Sequence, residues 1–133
     1  MNQQHFSTDE IMDSVEQWLL TGSVDEAIFK KMFATNFEFD SPSWKHANKE
    51  DFFKTLVQGT LYYEKGLKAI THFDPIIKLK NSDDTQFSII IQYHTKNGCS
   101  VWETVLGKVE HGLLTELRSI YDLEETKKAH NVD

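Results

Sequence analysis

The chain is poor in the residues that define a protein class at a glance. Cys99 is the only cysteine in 133 residues, so neither an intramolecular disulfide nor a cysteine-based metal site can be built. It follows a turn signal and has no expected role. Two prolines and six glycines exclude a collagenous or low-complexity chain. No basic run exceeds a lysine pair, and the net charge is −7. Nucleic acid and anionic membrane surfaces are therefore not expected partners, because phosphates are held by clustered Lys and Arg. No apolar run approaches the roughly 20 residues of a membrane-spanning helix. Met1 to Phe6 is polar and lacks the apolar core of a signal peptide, so a cytoplasmic location is expected. No repeat or linker divides the chain, and one domain over residues 1–133 is expected, with its core over about 7–122 and a frayed tail over 124–133.

What is present is a foldable pattern, with 39% hydrophobic and 12% aromatic residues. Ser7 and Glu10 form a capping box, with Phe6 and Ile11 placed as a hydrophobic staple. Ile11, Val15, Trp18 and Leu19 follow helical spacing until Gly22 ends the first helix. Ser23 and Glu26 repeat the box and predict a second helix, on which Ile28 with Met32 and Phe29 with Phe33 form i,i+4 pairs. Phe37 to Asp40 alternates as a short strand, broken at Ser41-Pro42-Ser43. Asn48 caps a third helix that carries Phe52, Phe53, Leu56 and Val57 and ends at Gly59. Leu67 to Lys80 reads as a strand interrupted at Pro75, at an edge or a bulge.

Three long alternating runs follow, divided by Asn97-Gly98 and His111-Gly112. Both pairs favour tight two-residue hairpins, and a tight hairpin fixes register. That register sets Tyr93 opposite Trp102 and Trp102 opposite Tyr121, with Ile91, Thr104 and Ser119 in the next layer and Ile89, Leu106 and Leu117 below. Such a wall of rings, hydroxyls and aliphatics is a usual lining for a small-molecule pocket. The other face then holds Ile90, Gln92, His94, Glu103, Arg118 and Ile120. It is too apolar for a solvated sheet and suits a homodimer interface. Helices first and a meander last give an α+β class: an antiparallel sheet with about three helices on one face.

Helix, Gly, helix, Phe33-Ala34, a strand ending Asp40-Ser41-Pro42, a third helix and a meander ending Leu117-Arg118-Ser119-Ile120-Tyr121-Asp122: this order resembles the nuclear transport factor 2-like superfamily, and within it the SnoaL-like and ketosteroid isomerase-like proteins. The resemblance spans about residues 7–122. It implies a cone of helices packed on a bent sheet around a pocket, and a homodimer through the outer sheet face. The superfamily hosts isomerases, dehydratases, hydrolases, cyclases and plain binding or assembly domains, and fold does not choose among them. The steroid isomerase set does not carry over. Its first-helix tyrosine has no counterpart before Tyr62, its base position before proline is Ser41, and its meander acid falls on Leu106 by ungapped match.

Two groups remain as candidate acid–base residues. Asp40 ends a strand at the expected pocket mouth, and its alternative role is to shape the Ser-Pro turn. His72 lies on a strand where many SnoaL-like proteins carry a pocket histidine, and it is equally readable as a surface or core residue. Ligand contacts are expected from Trp44, Tyr62, Ile91, Tyr93, Trp102, Thr104, Leu106, Leu117, Ser119 and Tyr121, although aromatics at strand spacing are also ordinary core. No histidine shows a metal-ligand spacing, so neither metal nor cofactor is expected. The leading expectation is cofactor-free acid–base chemistry (isomerisation, dehydration or hydrolysis) on a small apolar or aromatic molecule. The alternatives are a binding module without turnover and an interaction domain.

Overall fold

The structure is a computed structural model and describes residues 6–58 and 67–131. Helix α1 (Thr8–Thr21) starts on the expected capping box, with the Ser7 and Glu10 side chains each taking the other's backbone N–H, and stops at Gly22 in the left-handed region. Both staple residues, Phe6 and Ile11, are buried. Helix α2 (Glu26–Lys31) is capped by Asp25, whose carboxylate accepts from Ile28 N, and not by Ser23. A carboxylate also suits the positive helix N-terminus better than a hydroxyl does. Asn48 caps the short helix α3 (Lys49–Phe52), which runs on into a π-helical turn over Phe53–Val57. The end expected at Gly59 lies outside the described residues, as does Tyr62.

The six strands are β1 (Phe33–Ser41), β2 (Trp44–Asn48), β3 (Ile70–Lys80), β4 (Gln86–Thr95), β5 (Ser100–Glu110) and β6 (Leu113–Tyr121), in the order β2-β1-β6-β5-β4-β3. The sheet is curved and open, and all pairings are antiparallel except β1 with β6. The short expected strand is longer than its alternation suggested, and β2 carried no strand signal. Within the tail, residues 123–129 are helical. Asp122 caps a fourth helix, α4 (Leu123–Ala129), whose Ala129 is fully buried beside Tyr93 and Val101.

Register is where the expectation fails. The Asn97-Gly98 turn is a three-residue loop: Gly98 N–H bonds to Thr95 O, Thr95 N–H bonds to Cys99 O, and only Gly98 has positive φ. Asn97 uses its side chain to bind the Thr95 hydroxyl and, through Nδ2, the α4 carbonyl of Lys128. The added loop residue shifts β5 by one place, and a one-residue shift turns every side chain to the other face. At His111-Gly112 the expected two-residue turn forms, both residues having positive φ. A bulge at Thr115 then shifts β6 by one place as well. The two shifts cancel for β6 and leave β5 alone inverted. The observed rungs are Ile91–Glu103–Tyr121, Ile89–Val105–Ser119 and Phe87–Gly107–Leu117.

The helices cover the face that carries these rungs. Beneath them Phe29, Phe33, Phe37, Phe39, Phe52 and Phe53 gather around Trp18, with ring centroids from 4.6 Å (Phe33–Phe37) to 6.5 Å (Trp18–Phe29) apart. Each fully buried ring contributes about 1.5–3 kcal/mol of transfer free energy. This cluster fills the β1 side of the inner face with rings. Tyr93, a polar group of that face, packs beside α4.

Candidate functional site

Glu103 is the one acid that the inverted β5 turns inward. Its neighbours across the sheet are Ile91 and Tyr121, and Ser119 donates its hydroxyl to Glu103 Oε2 at 2.5 Å. Burial raises the carboxyl above its usual range, and the Ser119 hydrogen bond opposes part of that rise. Tyr93 lies one rung away and is buried. Its phenol is pushed up by burial first and by the Glu103 charge second. Its hydroxyl is 2.9 Å from His130 Nε2, at the C-terminal end of α4. Burial lowers the His130 pKa, which favours the neutral ring. Tyr121 completes the group, its hydroxyl 2.7 Å from Ser43 Oγ on the β1–β2 turn. A carboxyl that resists ionisation, set among aliphatic and aromatic side chains, is suited to give or take a proton.

The expected site residues divide between the two faces. Ile91, Tyr93, Leu117, Ser119 and Tyr121 stand on the inner face, as the alternation of β4 and β6 required. Trp44 is half-buried at the β2 edge, against Phe39. Trp102, Thr104 and Leu106 point outward, contrary to expectation, because the three-residue loop inverts β5. Glu103, assigned to the outer face by the two-residue register, is the inner residue that reading missed. The signal was present in sequence: Val101, Val105 and Val109 share its parity and make the more continuous apolar stripe.

Asp40 and His72 are not brought together. Phe37 and Phe39 hold the inner face of β1, so Asp40 takes the outer one, beside Arg118 on β6. His72 is exposed on β3 and stacks on His94 at 4.3 Å. Strands β6, β5 and β4 lie between them, and His72 stands on the His94–Ser100 rung, whereas Asp40 is level with Arg118 and Leu106. Asp40 Oδ1 accepts from His46 N, and His46 Nδ1 pairs with Glu38. The Glu38 hydrogen bond and the Asp40 charge both raise the His46 pKa. Two surface depressions lie elsewhere: one of about 390 Å³ between β3 and β6 over Leu79, Ser88 and Leu106, and one of about 760 Å³ over Lys30, Lys49 and Phe53.

No protein-family model matches the chain. A search of curated proteins finds no relative. Solved structures do match over nearly the whole chain. An NTF2-like protein of unknown function from Cytophaga hutchinsonii has 16% identity and a TM-score of 0.60, covering 92% of this chain and 96% of its own. A protein with a ketosteroid isomerase-like fold from Catenulispora acidiphila, in complex with trimethylamine, has 14% identity and a TM-score of 0.62, covering 96% of each chain. A phenazine biosynthesis-related protein from Pseudomonas aeruginosa has 10% identity and a TM-score of 0.61, covering 95% of this chain and 88% of its own. This chain has the fold of the nuclear transport factor 2-like superfamily.

Proposed function

We propose that this chain binds a small, mainly apolar or aromatic molecule on the inner face of its sheet and moves a proton on it through Glu103. The observation that carries the reading is the Glu103 carboxyl, turned inward, held by Ser119 and raised by burial among Ile91, Tyr93 and Tyr121. Tyr93 is the second group of the site, a phenol that stays protonated and can donate to a substrate oxygen. Isomerisation, dehydration and addition of water each need one such proton shuttle. The trimethylamine complex of a protein with this fold agrees with a small-molecule role. The chain is further proposed to act in the cytoplasm as a homodimer through the outer sheet face.

The test has two stages. Native mass spectrometry of freshly purified protein identifies a bound small molecule by its mass. That molecule is then incubated with the wild type and with Glu103→Gln. The account expects binding by both and chemical change with the wild type only. Change that persists in Glu103→Gln rules out the proton-transfer role, and binding without change by the wild type establishes the binding-module alternative.

A further inference from the structure

Among the described residues, a second set of chemistry-bearing side chains meets on the opposite face of the sheet. Glu38, Asp40 and His46 each present one donor atom within 4.8 Å of the other two. The β1–β2 hairpin makes this possible. Its register shifts between Phe39/Ala47 and Ser41/Trp44, and His46 occupies the irregularity with φ 56°. A bulge re-aims a side chain. Here the His46 N–H leaves the ladder and donates to Asp40 Oδ1 at 3.0 Å, while the ring turns onto Glu38 and brings Nδ1 to 3.8 Å from Asp40 Oδ1.

Asp40 separates this set from an ordinary acidic patch. Its side chain is only 10% exposed, yet beyond His46 it has no cationic partner among the described residues. Arg118, its register partner on β6, makes no ion pair with it. Carboxylates this deep are ordinarily paired with a cation or bound to a metal. From the donor set, we infer that Glu38, Asp40 and His46 bind a divalent first-row transition cation, of which Zn²⁺ is the representative. Two carboxylate oxygens and one imidazole nitrogen suit such an ion better than Ca²⁺ or Mg²⁺, which take oxygen alone. Three protein ligands leave a fourth position for water. The spacing 38, 40, 46 crosses a hairpin, which is why no helical ligand motif announces it. The site shares no residue with the Glu103 group.

The test is calorimetric titration of ZnCl₂ into tag-free protein that has been stripped with EDTA and dialysed. One Zn²⁺ per chain is expected. In both His46→Ala and Asp40→Asn, affinity should fall by more than the roughly 10–100-fold that loss of an outer-shell partner costs. Circular dichroism confirms that each variant is folded, and His46, being exposed, can be removed without opening the core. Absence of a stoichiometric site in the wild type overturns the inference, and so does unchanged affinity in either folded variant.

Discussion

Ser119 donates its hydroxyl to Glu103 across the β5–β6 pair at 2.5 Å, and Tyr121 stands directly opposite Glu103 on the same face. This contact exists only because the two hairpins each shift register by one residue. Without the shift at Gly98, Glu103 would face solvent and Trp102 would face the helices.

The same inversion enlarges the apolar patch on the outer face. Ile77, Ile90, Thr104 and Ile120 form one rung there, Leu79 and Leu106 lie in the next, and Trp102 stands beside Gln92. Light scattering after size exclusion should return about twice the 15.5 kDa chain mass for the wild type. It should return the single mass for the double variant Trp102→Asp, Ile120→Asp. A wild-type monomer at micromolar concentration contradicts the dimer.

His130 predicts a pH dependence. Its folded pKa is lowered, so the unfolded chain binds more protons between that value and the ordinary one of 6.5. The stability it contributes is complete above 6.5 and is lost as pH falls through 6.5 toward the lowered value. His130→Gln should remove this slope and leave Tyr93 a partner. Urea unfolding of both proteins near pH 7.5 and pH 5.5 measures it, and the difference between them cancels the opposite slope expected from His46. Equal acid losses in the two proteins count against the His130 account.

Gly107 leaves the space that Phe87 fills. A Cβ added at Gly107 would stand 2.2 Å from Phe87 Cζ. Gly107→Ala should destabilise by about 1–3 kcal/mol through overpacking. In a Phe87→Ala background most of that cost should vanish, a coupling that chemical denaturation of the double-mutant cycle reads directly. Additive effects would mean that the two residues do not meet.

Phe52 is fully buried at the centre of the ring cluster, while Ile28, on the outside of α2, is about half exposed. Phe52→Ala should cost about 3–5 kcal/mol. Ile28→Ala should stay within roughly 0.5 kcal/mol. Similar losses at the two sites would show that the core is not centred on Phe52.

The helix starts were legible because capping is local: Ser7, Glu10 and Asn48 act within one turn of themselves. The exception, Asp25 in place of Ser23, lies two residues away and has the same cause. The inner faces of β4 and β6 were also legible from alternation alone. The face of β5 was not, because it depends on the length of the Asn97-Gly98 loop, and Asn97 binds both Thr95 within that loop and the Lys128 carbonyl of α4, 31 residues away in the chain. Strand β2 was illegible for a related reason, since it forms against β1 with an irregular register at His46. The candidate site inherited both difficulties. An ungapped match placed the inner-face acid at Leu106, which faces outward, whereas the acid that faces inward is Glu103.

The most direct test of Glu103 is a ¹³C-detected NMR titration of the side-chain carboxyls from about pH 3 to 9, with its resonance assigned by its absence in Glu103→Gln. The account predicts a midpoint above the ordinary glutamate value of 4.5, displaced upward by burial. A midpoint at or below 4.5 would mean a solvated or cation-paired carboxylate, and would contradict an inward-facing Glu103 and the proton-transfer role proposed for it.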